Sequence, residues 1–234
     1  MPLRFLRSRT LVGANAVMLL VGAVAAGVPF ILTLYAQQVL GYSAVRFGLG
    51  SVVLAVAVAV SAIVAQAAVL KAGFRPVAAT GMALVGAGSL LLTQVSVGGS
   101  YLGDIFLGLL VCGLGIGLAF VTATVAALAG VAEQEAGLAS GLSNTTLQIG
   151  TALGVAIATT VAVSRSGDYL AVNQGANPLL VLTEGFQSAF LALVVLAGIG
   201  MALALLLLGR PRKAPQERLE ASRFPSTTSE EQTV

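Results

Sequence analysis

The chain has 234 residues, of which 57% are hydrophobic and only 9% charged, and its mean hydropathy is +0.98. Soluble domains carry about 25% charged residues, so this composition excludes a water-soluble fold and describes an integral membrane protein. The net charge of +3 does not imply nucleic acid as a partner, because Arg4, Arg7 and Arg9 precede the first apolar run and Arg210, Arg212 and Lys213 follow the last, which is the pattern of membrane topology.

Residues 1–10 are predicted to be a short cytoplasmic segment. The apolar run that follows, Leu11 to Ala36, exceeds the 7 to 15 or so residues of a secretory signal and is predicted to be an uncleaved first span. Five further runs, 47–70, 76–95, 101–131, 136–163 and 186–208, reach or exceed the roughly 20 residues that cross a bilayer. The weak alternation of an outer-membrane barrel is absent, so the fold class is all-α integral membrane, with six transmembrane helices. Pro29 should bend the first span by removing a backbone bond, to the benefit of either a gate or packing. Residues 164–185, with Asn173, Gly175, Asn177 and Pro178, read as a long loop, and residues 209–234 as a disordered cytoplasmic tail. With the N-terminus inside, ten of the 12 basic residues fall on the cytoplasmic side and only Arg46 and Arg165 outside, which places both termini in the cytoplasm.

Polar side chains within these spans form stripes at helical spacing. Asn15, Gly22, Thr33 and Gln37 share an arc of the first span, and Ser140, Asn144, Gln148 and Thr151 share a face of the fifth with Gly137. Asp104, Gly108, Gly115 and Thr122 align in the fourth, whereas the sixth is apolar on nearly every side and is expected to face lipid. The stripes suit either hydrogen bonds that hold the bundle together or a substrate path through Asn15, Thr33, Gln37, Thr122, Ser140, Asn144, Gln148 and Thr151. Glycine pairs four apart at Gly113/Gly117, Gly137/Gly141 and Gly150/Gly154 are candidates for close helix packing. Asp104 is read as the only carboxylate close to a span interior, serving as a helix-end stabiliser or a proton-coupling group, and Glu133 and Glu135 as stabilisers of the start of the fifth span. There is no histidine, and the single cysteine, Cys112, reads as a small packing residue. Metal sites, cofactors and enzymatic nucleophile/base chemistry therefore find no support.

The residues Gly113-Leu-Gly-Ile-Gly-Leu-Ala-Phe120, Glu135-Ala-Gly-Leu-Ala-Ser-Gly-Leu-Ser-Asn144 and Gln148-Ile-Gly150 resemble the late spans of major facilitator superfamily transporters, above all the multidrug-efflux branch with fourteen spans. Pro2 to Thr10 resembles the linker into the C-terminal half of that branch, and Leu70-Lys-Ala-Gly-Phe-Arg-Pro76 resembles the degenerate copy of the family's loop motif. The full loop motif, the Gly-Pro antiporter motif and embedded coupling carboxylates are missing. The resemblance implies one half of a proton-antiport efflux protein, a six-helix bundle of two three-helix inverted repeats, in a bacterial cell membrane. It further implies a small amphipathic organic substrate, and as partners the lipid bilayer and a second transporter half or another copy of the chain. In such a half the first, second, fourth and fifth spans line the cavity and the third and sixth are peripheral. A membrane scaffold or accessory protein without translocation activity is the alternative.

Overall fold

The computed structural model of the chain describes residues 9–129 and 131–208. Six α-helices follow one another: α1 (Arg9–Gln38), α2 (Ala44–Ala72), α3 (Phe74–Leu92), α4 (Phe106–Leu128), α5 (Ala136–Val172) and α6 (Pro178–Leu207). Each is long and apolar enough to cross a membrane. A π-helical turn, Tyr101–Ile105, leads into α4, and a single 3-10 turn, Glu133–Glu135, into α5. The predicted tail and most of the predicted N-terminal segment lie outside the described residues.

Local chemistry sets the ends of these helices. Ser43 caps α2 by accepting the Arg46 N–H at 3.2 Å. At its other end α2 passes directly into α3 through Gly73, whose φ of 86° is open to glycine at no steric cost. Ahead of α4, Ser100 Oγ accepts the Gly103 N–H at 3.1 Å while Asp104 Oδ2 accepts the Ser100 N–H at 2.7 Å. This is a reciprocal capping arrangement. The carboxylate comes one position later than in a capping box, where the helix is wound as a π turn. At α5 the expected acidic stabilisation takes a weaker form, since Glu135 at the cap position makes no side-chain bond to the helix.

The long loop predicted over residues 164–185 is mostly helix. α5 runs on to Val172 and α6 begins at Pro178, so residues 173–177 alone connect them. Gly175, at φ 88°, makes the turn; Asn177 Oδ1 accepts the Leu179 N–H at 2.9 Å, and Pro178 supplies the first-turn φ. The two extensions also pack together. Ser166 Oγ donates to the Val181 carbonyl at 3.1 Å, and the missing side chain of Gly185 lets α6 approach the Ala162 carbonyl. At 1.5 Å per residue α5 is about 55 Å long, nearly twice the thickness of a hydrocarbon core of about 30 Å. Part of the α5–α6 hairpin therefore stands clear of the bilayer.

The two three-helix repeats are interleaved. α1 packs mainly on α5 and α6, and α4 mainly on α3 and α2, with α1 against α4 and α3 against α6 closing the bundle. Exchanging α1 with α4, α2 with α5 and α3 with α6 maps these interfaces onto one another, as expected of repeats related by a two-fold axis, whereas the extensive α5–α6 contact has only a slight counterpart in α2–α3. Glycine makes both long crossings. Gly113 and Gly117 of α4 lie against the Leu54 and Val58 carbonyls of α2, and Gly150 and Gly154 of α5 lie against the Leu19 and Ala23 carbonyls of α1. Four-residue spacing on one helix thus meets four-residue spacing on the other, bringing backbones close enough for Cα–H···O contacts. Gly137 and Gly141 differ from the packing expectation, because each faces open space.

α1 and α4 bury more than half of their most apolar stretch inside the bundle, and α2 and α5 less than a quarter. The sixth helix leaves most of its most apolar stretch to lipid, as expected, with only 28% of it buried, yet it also has an inner face. Phe186, Ala189, Phe190, Leu193 and Ala197 form its buried face, and its uniformly apolar sequence conceals that face. At the end of the bundle away from the termini, here called the distal end, the fully buried Tyr35 donates to the Ser96 carbonyl at 2.7 Å. Its ring meets Phe186 edge-on at 6.5 Å, and Gln187 Nε2 donates to the Val95 carbonyl at 2.8 Å. The α3–α4 connection is thereby tied to both α1 and α6. Tyr35→Phe deletes the bond but keeps the ring, and is expected to destabilise the bundle by about 1 kcal/mol. Thermal unfolding in detergent measures this; an unchanged midpoint would mean that solvent replaces the bond in full.

Candidate functional site

A cavity of about 170 Å³ opens between α1, α4 and α5, near the end of the bundle that holds the termini. Met18, Phe120, Leu128 and Leu147 form its apolar walls, and Thr124, Ser140, Ser143 and Asn144 supply polar groups. Thr124 and Phe120 come to the same wall because they are four apart on α4, and the Thr124 hydroxyl donates to the Phe120 carbonyl at 2.8 Å. It retains acceptor capacity toward the cavity. Ser143 is buried, and its hydroxyl has no partner among the described residues. A buried polar group left unpaired costs about 1 to 3 kcal/mol, so a hydroxyl held this way is poised for water or a ligand. Ser140 and Asn144 are exposed on the open side of α5.

Of the residues expected along a path, Ser140 and Asn144 line this cavity. Asn15, Thr33, Gln37, Thr122, Gln148 and Thr151 do not. Asn15 is half-buried on α1; its amide donates to the Leu11 carbonyl at 2.9 Å, and its Oδ1 is buried without a partner among the described residues. The hydroxyls of Thr33 and Thr122 donate to their own helices, to Pro29 at 2.6 Å and Leu118 at 2.7 Å. Gln37 is exposed at the distal end of α1, and Gln148 on the open face of α5. Thr151 sits at the α1–α5 crossing, where its backbone lies 3.1 Å from the position a side chain on Gly22 would take. Helical spacing alone missed Met18, Phe120, Thr124, Leu128, Ser143 and Leu147. Ser143 lies within the quoted Gly137–Asn144 run, and the Phe120/Thr124 spacing was the remaining signal.

Asp104 is engaged at the helix end, and two further carboxylates lie near the distal ends of spanning helices. Glu184 falls on α6 and Asp168 on α5, because the residues read as loop are helical. Cys112 is buried between α3 and α4, where its thiol donates to the Val85 carbonyl at 3.7 Å and lies 3.8 Å from Ser89 Oγ. Among the described residues no three His, Cys, Asp or Glu side chains converge as a metal site would require.

Comparison with known proteins matches residues 16–231 to the family pattern of the Major Facilitator Superfamily. The puromycin resistance protein pur8 of Streptomyces alboniger is 31% identical over 183 residues, 77% of this chain and 36% of that protein. The cephamycin export protein CmcT of Amycolatopsis lactamdurans is 37% identical over 148 residues, 63% of this chain and 30% of that one. The lincomycin resistance protein of Streptomyces lincolnensis is 28% identical over 222 residues, covering 95% of this chain and 42% of its own length. This chain thus spans between 30% and 42% of the length of these three bacterial relatives.

Proposed function

Because the chain belongs to the Major Facilitator Superfamily, we propose that it forms one half of an exporter of small amphipathic organic molecules, driven by proton antiport and working with a second half. The observation that carries this reading is the cavity between α1, α4 and α5. Its apolar walls, free Ser143 hydroxyl and Asn144 amide offer both surfaces such a molecule needs. The exposed amides of Asn144 and Gln148 support a missing second wall, since hydrocarbon would leave them unpaired. The barely buried faces of α2 and α5 are where that wall would dock. The names of the relatives, which speak of puromycin and lincomycin resistance and of cephamycin export, support organic cargo. In this reading the chain is not an enzyme, and it sits in a cell membrane with both termini cytoplasmic. The basic residue bias supports that orientation.

One cysteine-labelling panel tests orientation and site together, in a Cys112→Ala background of the assembled transporter. Gln174→Cys, in the α5–α6 turn, should react with a membrane-impermeant maleimide in intact cells. Gln134→Cys, between α4 and α5, should react only after permeabilisation. Asn144→Cys and Gln148→Cys should react with a small polar thiol reagent, and a bound amphipathic substrate should slow the labelling of Asn144→Cys. Reversed sidedness of the first pair would invert the topology. Complete protection of the second pair would leave these side chains a purely structural role.

A further inference from the structure

A second cavity, of about 320 Å³, lies on the flank of the bundle between α5 and α6, well apart from the first. Thr160, Val161, Ser164, Arg165 and Asp168 come to it from one face of α5, and Ser188 from α6. Arg165 and Asp168 have opposite charges and are three apart on the helix. Yet among the described residues neither is engaged in an ion pair or hydrogen bond. Glu184 stands one turn from Ser188 on α6, outside the cavity lining.

The level of this cavity in the membrane follows from helix length. About 20 residues cross the hydrocarbon core, and counting back from Leu207 at the far end of α6 that distance ends at Ser188. The charged pair is therefore at headgroup height. Toward the bilayer centre the polar lining gives way to Ile157 and Leu153 on α5 and to Leu191 and Val195 on α6. All four are exposed, and their helical spacing puts them on the same faces of α5 and α6 as the cavity lining, as an apolar track below it.

We propose that this cavity is a binding site for a phospholipid with a primary-amine headgroup, phosphatidylethanolamine being the representative. Arg165, with the hydroxyls of Thr160, Ser164 and Ser188, receives the phosphate. Asp168 accepts hydrogen bonds from the ammonium, and the apolar track below takes an acyl chain. A choline headgroup has no N–H to donate to Asp168, and a glycerol headgroup carries no cation, so the pairing of charges selects the ethanolamine lipid over both. The selection depends on the membrane boundary and not on which side of the membrane the site faces.

The test is native mass spectrometry of the full chain released from vesicles of equal parts phosphatidylethanolamine, phosphatidylcholine and phosphatidylglycerol. Wild type should retain the ethanolamine lipid about tenfold over the other two, the ratio expected when one charge-assisted hydrogen bond is lost. Arg165→Gln and Asp168→Asn should each remove that preference, while Arg46→Gln, at another distal-end arginine, should keep it. Circular dichroism confirms that each variant folds. Should a variant fail to fold, the wild-type preference among the three lipids still decides the matter. Equal retention of the three lipids, or a preference surviving both substitutions, would overturn the proposal. So would equally strong retention of soluble glycerophosphoethanolamine by the delipidated chain, which would make the ligand a free zwitterion.

Discussion

Gly154→Val is expected to abolish recovery of the folded chain, and Gly154→Ala to destabilise it by about 3 kcal/mol or more, while Gly141→Ala is near neutral. The reason is the partner atom. A side chain on Gly154 would collide with the Ala23 backbone carbonyl on α1, and one on Gly150 with the Leu19 carbonyl. A flexible side chain could swing aside, but a helical carbonyl moves only if α1 moves. Because α1 is also packed on α4 and α6, that displacement would spread through the bundle. The total stability of a domain is only about 5 to 15 kcal/mol, so even the alanine removes a large share. Gly141 has nothing within 4 Å, and the same methyl meets only open space there. Detergent-solubilised yield and unfolding midpoint give the ranking directly. A Gly154→Val protein that melts with wild type would show that α1 and α5 do not cross at this contact.

The second large effect is an absence of activity. Reconstituted alone into vesicles with an imposed pH gradient, the chain should give flux no greater than protein-free vesicles. In the proposed function it supplies one wall, and alternating access in this superfamily requires two bodies rocking about a site between them. The Asp104 carboxylate accepts the Ser100 N–H at the start of α4, which favours the helix-end role over the coupling one. Asp104→Asn should accordingly lower stability rather than alter any gradient dependence. Accumulation that collapses with an uncoupler and with Asp104→Asn would refute both statements, and would make Asp104 the proton carrier. With a second transporter half present in the same vesicles, the proposed function predicts gradient-dependent flux.

The six spans were legible because hydropathy over about 20 residues is a strong, additive signal. The pairing of helices was not. Spacing of four shows that Gly113 and Gly117, or Gly137 and Gly141, share a face, but it carries no information on whether another helix covers that face. Two of the three candidate glycine pairs meet a neighbouring backbone and the third meets none. The α5–α6 hairpin was hidden for a different reason. Asn173, Gly175, Asn177 and Pro178 are turn signals, and their influence was spread over 22 residues when the turn occupies only 173–177. Arg165 and Asp168 on α5 and Glu184 on α6 all fall within the range read as loop. The candidate site was partly visible through Ser140 and Asn144. Its α4 wall was not, because Phe120 and Thr124 gain meaning only once α4 lies beside α5.

The interleaving of the repeats bears on the order in which the protein can be made. Helices leave the ribosome from the N-terminus, so α1, α2 and α3 enter the membrane before the elements that carry their main interfaces exist. Their contacts with one another are slight compared with those that α4, α5 and α6 bring. The early intermediate is thus a set of loosely associated spans, held in place by lipid and by the insertion machinery rather than by each other. α4 begins the consolidation by docking on α2 and α3, and α1 is clasped only when α5 arrives some 100 residues after the end of α1. Chains arrested before Ala136 should be inserted yet degraded rapidly by membrane proteases, and chains arrested after Leu208 should resist. Pulse-chase of the two arrested products reads this directly; equal lifetimes would mean that the first repeat is stable by itself.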